Sequence, residues 1–199
     1  LHTLRARLEG QPVGRQLFIA FAAVLALTAA LGAAALLGLR SVDAEASALA
    51  QKWLKGVGDL SQARAIVVET REFELKHSRT DDESYHAEYE DKMAEAAKGL
   101  GTINEGYLAR LLPGEETELH AAVAKSWGAY RQAQQRVIQL GRAKQQQDAA
   151  DIADGASAMA FDEAVGALNQ LIEFNNRAAA ASAERAHAVY RQAWFAVAG

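Results

Sequence analysis

Leu17 to Leu39 reads LFIAFAAVLALTAALGAAALLGL, 23 residues without a charged side chain. At 1.5 Å per residue this is about 34 Å of helix, enough to cross a hydrocarbon layer of about 30 Å. Its one polar side chain, Thr28, can return its hydroxyl to the helix's own backbone. Arg5, Arg7 and Arg15 precede the run, and Glu9 is the only acid there. The positive-inside rule therefore keeps residues 1–16 in the cytoplasm as a short stub and exports the chain beyond Arg40. The alternative is a cleavable signal peptide, with Gly32 to Ala35 as its small-residue site. A signal core is typically about 7 to 15 apolar residues, shorter than this run. At the other end, Tyr190, Arg191 and Trp194 lead into Phe195-Ala-Val-Ala-Gly199. An interfacial aromatic followed by small apolar residues is how a span begins, so 190–199 is expected to open a second one. With no initiator Met, the chain is expected to be a piece of a longer protein.

The exported stretch, 41–189, is built for helices. The chain is 50% hydrophobic but only 7% aromatic and holds 2 Pro, so its apolar content is largely Ala and Leu. The absence of Cys excludes disulfides, thiolate metal sites and cysteine nucleophiles. With 21 Lys+Arg against 25 Asp+Glu, nothing points to nucleic acid as a partner. Three breaks divide the region. Ser78–Asp82 offers Thr80 or Asp81 as a helix cap, Leu112–Glu116 pairs a proline stop with an acidic start, and Gln145–Gly155 is polar. The resulting helices, 41–79, 82–111, 114–146 and 154–189, are each about 45 to 58 Å long. Matched lengths and short turns predict an all-α, antiparallel up-down-up-down four-helix bundle continuous with the N-terminal transmembrane helix.

Apolar spacing supports this fold. Phe161, Val165, Leu168, Ile172, Asn175, Ala179, Ser182, Ala186 and Val189 form one stripe at steps of 3 and 4. Tyr85, Tyr89, Met93, Ala96, Leu100, Ile103 and Tyr107 form another. The first bundle helix has two stripes: Val57, Leu60, Arg64, Val67, Arg71, Glu74 and Ala63, Ile66, Thr70, Phe73, His77. Two buried-looking faces suggest one for the core and one for a second copy, hence a homodimer. The ends near Arg79 and Asp148 are expected to be membrane-distal.

A basic stub, a span, a four-helix bundle and a second span together resemble the periplasmic sensor module of bacterial methyl-accepting chemotaxis proteins. The most motif-like piece is Gln62-Ala-Arg64 followed by Thr70-Arg71-Glu72, which is similar to the arginine-bearing distal half of that family's first helix. The resemblance implies an inner-membrane receptor with its sensor domain in the periplasm. It implies a small ligand whose carboxylates are gripped by arginines from both subunits, and a small displacement of the fourth helix as the signal. Cytoplasmic signalling partners would be reached through parts outside this sequence. Sensor histidine kinases or cyclases carry the same module, and a ligand-free membrane-anchored structural bundle is the reading from another class.

The candidate ligand-binding residues are Arg64, Arg71, Trp127, Tyr130 and Arg131. Arg64 and Arg71 lie two turns apart on one stripe, about 10.5 Å along the axis. Arg64 has no acid at i±3 or i±4 and Arg71 has only Glu74, so a buried guanidinium needs an anion, either a ligand or a cross-helix acid such as Asp162 or Glu163. From Leu119 to Gln147 there are cations but no acid. Arg142 and Lys144 fit a helix C-terminus, whereas Arg131 lies deep in the helix, one turn after Trp127, where it can stack on the ring. Core packing is the plainer role for Trp127 and Tyr130. Charge-assisted bonds of about 1.5 to 3 kcal/mol each would hold a small organic anion at micromolar strength. Separated arginines favour a di- or tricarboxylate such as malate or citrate, or an amino acid, with an aromatic acid on Trp127 as the second choice. No cofactor is expected, and the chain does not read as an enzyme: it lacks a glycine-rich phosphate loop, a nucleophile elbow and metal-ligand spacing among its 5 His.

Overall fold

The computed structural model describes residues 13–198, all in helices and turns, with no strand among the described residues. Helix α1 spans Val13–Ala48, and a π turn at Leu49–Leu54 leads into α2, Lys55–Arg79. Then come α3 (Glu83–Leu108), α4 (Glu115–Arg142) and the short α5 (Gln146–Ile152). A second π turn, Ala153–Ser157, opens α6 (Ala158–Ala198). The expected stub with Arg5, Arg7 and Glu9 falls outside the described residues through position 12.

The chain divides into two compact units: residues 13–48 with 181–198, and Leu49–Ala180. In the first unit, α1 has no buried residue, and large side chains such as Phe18, Phe21 and Leu37 are exposed. One helix of the described chain is long and apolar enough to cross a membrane. Thr28 donates its hydroxyl to the Val24 carbonyl at 2.9 Å, as its place in an apolar helix requires. Glu45 accepts from Ser182 Oγ at 2.8 Å and pairs with Arg185 at 3.1 Å.

The second unit is the bundle. Its core joins Leu60, Ala63 and Val67 of α2 with Tyr107, Leu168 and Leu171, and a second cluster gathers Val137, Leu140, Ala149 and Ala153. Burying a side chain such as Leu171 contributes about 1.5 to 3 kcal/mol. The α6 stripe holds throughout, every member being buried or half-buried, and the α3 stripe holds except at exposed Tyr85. Both α2 stripes except Arg64 are buried or half-buried within one chain, because α2 packs on α3, α4 and α5 together. The residues left outward on α2 include Ser61, Arg64 and Val68.

The helix ends differ from the sequence expectation in two places. The cap of α3 is Asp82, whose carboxylate accepts from the Ser84 amide at 2.8 Å; Thr80 Oγ1 instead accepts from the Asp82 amide. The last helical stretch begins at Gln146 rather than 154, because the turn between α4 and α5 closes within three residues. There Lys144 adopts φ 57°, with Lys144 N donating to Gly141 O at 2.9 Å and Gln145 N to Leu140 O at 3.0 Å. This bond pair is a Schellman closure, with lysine where glycine is usual. Gly114, at φ 112°, caps α4, and Glu115, Glu116 and Glu118 supply the expected acidic first turn.

Candidate functional site

Arg71 and Tyr130 meet on one buried carboxylate. Glu74, wholly buried on α2, accepts from Arg71 Nη1 at 3.0 Å, Tyr130 Oη at 2.6 Å and Ser157 Oγ at 2.5 Å. Arg71 Nη2 donates to the Ala153 carbonyl at 2.6 Å, and its guanidinium lies 5.8 Å from the Phe161 ring. The anion that Arg71 requires is therefore its own i+3 neighbour, while Asp162 and Glu163 are exposed. Burial, reinforced by Glu74, pushes the Tyr130 phenol far above its ordinary value, so it remains a donor at any working pH.

Arg64 and Arg131 have a different environment. Arg64 is exposed and donates to the neutral Asn169 side chain at 3.0 Å. Arg131 is half-buried with its guanidinium 5.9 Å from the Trp127 ring, and Trp127 in turn lies 5.5 Å from Tyr130. In the bundle Arg79 pairs with Asp154, Arg110 with Asp59, Arg142 with Glu90 and Arg177 with Glu173. Among the described bundle arginines, Arg64, Arg131 and Arg136 have no carboxylate partner. The structure thus joins Arg71, Tyr130, Trp127 and Arg131 in a chain of contacts, and ties Arg64 separately to α6.

Between the helices lies a cavity of about 270 Å³, walled by Leu60, Ala63 and Val67 of α2, by α3 from Ala97 to Tyr107, by α4 from His120 to Trp127, and by Ala164 and Leu168. Of the five sequence-predicted residues, Trp127 is the one that lines it. No Asp, Glu, Lys or Arg does. Its polar edge is His120 Nε2 against Asn104 Oδ1 at 2.7 Å, with the imidazole stacked 5.9 Å from the Tyr107 ring. Burial holds the His120 pKa below its usual value, so this ring is neutral at pH 7.

Two further polar clusters tie helices together. Buried Glu116 accepts from Tyr107 Oη at 2.8 Å, Lys52 Nζ at 2.9 Å and the Leu112 amide at 3.1 Å, while Asn175 donates to Tyr107 Oη at 2.8 Å. At the other end His77, fully buried, stacks on His86 with centroids 4.2 Å apart and meets Glu90 Oε1 at 3.0 Å. Arg142 also binds the Glu90 carboxylate. Burial lowers the His77 pKa, as do His86 and Arg142, against the upward pull of Glu90. Burial raises the Glu90 pKa, but Arg142 and His77 outweigh it and leave it low. No group of three or more His, Asp or Glu among the described residues could hold a metal ion.

The bundle thus combines buried cross-helix carboxylates, a cavity among its helices and arginines outside that cavity. Residues 12–190 match the family model described as a four helix bundle sensory module for signal transduction. The chain belongs to that family. No curated protein sequence matches it.

In this sensory module, Arg71 and Tyr130 are tied to the buried Glu74 carboxylate, whereas Arg64 meets a neutral amide and Arg131 an aromatic ring. The cavity takes in only Trp127 of the five candidate ligand-binding residues, and the histidine stack is not among the sequence expectations. His77 and His86 flank an acidic turn, with Glu90 one turn after His86, and that spacing is the available signal. The cavity has only a faint one, in small residues spread over α2, α3, α4 and α6.

Proposed function

We propose that this sensory module is the periplasmic half of a transmembrane chemoreceptor, binding a small organic anion and passing a conformational signal through its helices. In this reading residues 1–16 are cytoplasmic, 17–39 cross the inner membrane, 41–189 form the sensor domain and 190–199 begin a second span. The exposed apolar surface of α1 supports the membrane placement. The outward face of α2, with Ser61, Arg64 and Val68, is offered to a second copy in a homodimer. The module acts by binding, without catalysis, and reaches cytoplasmic signalling partners through other parts of the receptor.

The observation that carries the reading is the contrast among arginines. Arg71 is neutralised internally, whereas Arg64 contacts only a neutral amide and Arg131 only an aromatic face. Planar guanidinium forks without a carboxylate partner match a di- or tricarboxylate or an amino acid, each charge-assisted bond contributing about 1.5 to 3 kcal/mol. The ligand must bind one helix arrangement more tightly than the other, since its influence cannot exceed that difference.

A thermal-shift screen of malate, citrate, aspartate and aromatic acids on the full chain tests this. At least one acid should raise the melting temperature, with Arg64→Ala or Arg131→Ala abolishing the rise. If no acid shifts the wild type, or both variants respond like it, the anion reading fails and a ligand-free structural bundle takes its place.

A further inference from the structure

The bundle interior contains a space that the anion reading does not use. Folded cores leave few voids larger than a water molecule, yet here a cleft of about 270 Å³, open to solvent beside Gly101, Asn104 and Ala124, reaches in among four helices. A dry cavity of about 150 Å³ lined by aliphatic residues admits benzene, so this one has room for an aromatic ring and a substituent. Ala63, Ala97, Gly101, Ala124 and Ala164 keep it open, and Gly101 and Ala124 are solvent-exposed at its edge. A Cβ at Gly101 would meet no atom within 4 Å, so helix packing does not demand glycine there.

The lining also indicates the ligand's charge. With no cationic side chain in the wall, a carboxylate would lose its hydration and gain no partner. The polar edge, His120 bonded to Asn104 at 2.7 Å, is neutral and can exchange hydrogen bonds with one polar group. Trp127 and Tyr107 supply ring surfaces.

We infer that this interior cavity is a binding site for a small uncharged aromatic compound bearing one hydrogen-bonding group, distinct from the arginine-bearing surface. The site is lined by all the long bundle helices, so its occupant stiffens their packing.

Benzamide and its charged near-isostere benzoate are suitable probes, titrated calorimetrically against the full chain in lipid nanodiscs, with empty nanodiscs as the blank. Benzamide should bind saturably, and in the Arg64→Ala/Arg131→Ala double variant benzoate should bind at least about tenfold more weakly than benzamide, a gap of about 1.4 kcal/mol. Gly101→Leu, which places an isobutyl group at the edge, should abolish benzamide binding while leaving the melting temperature of the free protein near wild type. Arg64→Ala and Arg131→Ala should leave it unchanged. The proposal is overturned if benzamide does not bind, if Gly101→Leu binds it as wild type does, or if benzoate binds the Arg64→Ala/Arg131→Ala double variant as well as benzamide does. Loss of benzamide binding in Arg131→Ala would equally overturn it by placing the compound at the arginine surface. None of these outcomes depends on whether malate or citrate binds.

Discussion

Glu74→Ala is the most demanding test of how the bundle is held. The substitution removes the acceptor shared by Arg71, Tyr130 and Ser157, leaving a guanidinium and two hydroxyls buried without it. Each hydrogen bond to a charged group contributes about 1.5 to 3 kcal/mol, but all of them share one desolvated carboxylate, so their sum overstates the loss. Removal of one partner from a buried pair costs about 3 to 5 kcal/mol, the range expected here. For a chain of this size that lowers the melting temperature by about 6 to 20 °C. Arg71→Met combined with Glu74→Leu removes both charges and should recover most of the loss, leaving about 1 to 2 kcal/mol for the stranded hydroxyls. Thermal unfolding followed by far-ultraviolet circular dichroism distinguishes the outcomes. A Glu74→Ala loss below about 1 kcal/mol, or a double variant no more stable than the single, would refute the internal neutralisation of Arg71.

Three other outcomes are expected from the same geometry. Lys144→Gly relieves a left-handed lysine at the α4–α5 closure and should stabilise the chain by about 0.5 to 1 kcal/mol, despite loss of the exposed Lys144–Glu83 pair, as read by thermal melting. Gly141→Ala places a Cβ 2.7 Å from His77 Cε1 and should cost about 1 to 3 kcal/mol in the same assay. Burial depresses the His77 pKa below its unfolded value of 6.5, so the unfolded chain takes up the proton first. The stability due to a neutral His77 is thus complete above 6.5 and lost as the pH falls from there towards the folded pKa, and denaturation midpoints should show this slope, flattened in His77→Gln.

The helices are legible in the sequence because their cues are local: proline and acidic starts, capping residues and a 3–4 spacing of apolar side chains. The α6 stripe from Phe161 to Val189 needs no tertiary information. Even the partner of Arg71 lies in view, since Glu74 is its i+3 neighbour. What local spacing cannot reveal is that Tyr130 and Ser157, distant along the chain, converge on the same carboxylate and fix Arg71 as part of the framework. The α5 start is hidden because Asp148, Asp151 and Asp154 read as a polar loop, whereas a lysine in left-handed geometry closes the turn earlier. The cavity is invisible for a related reason. Ala63, Ala97, Ala124 and Ala164 each read as ordinary helix formers, and only their alignment across separate helices leaves space.

A sensory role requires that occupancy bias the helices, and the chain's lack of cysteine allows clean spin labelling. With labels at Gln62→Cys on α2 and Gln170→Cys on α6, both exposed positions, pulsed electron resonance measures the distance between them. Saturation with whichever acid gives the largest thermal shift should move the distance distribution, and the move should vanish when Arg131→Ala is added. An unchanged distribution at full occupancy would contradict the sensory mechanism.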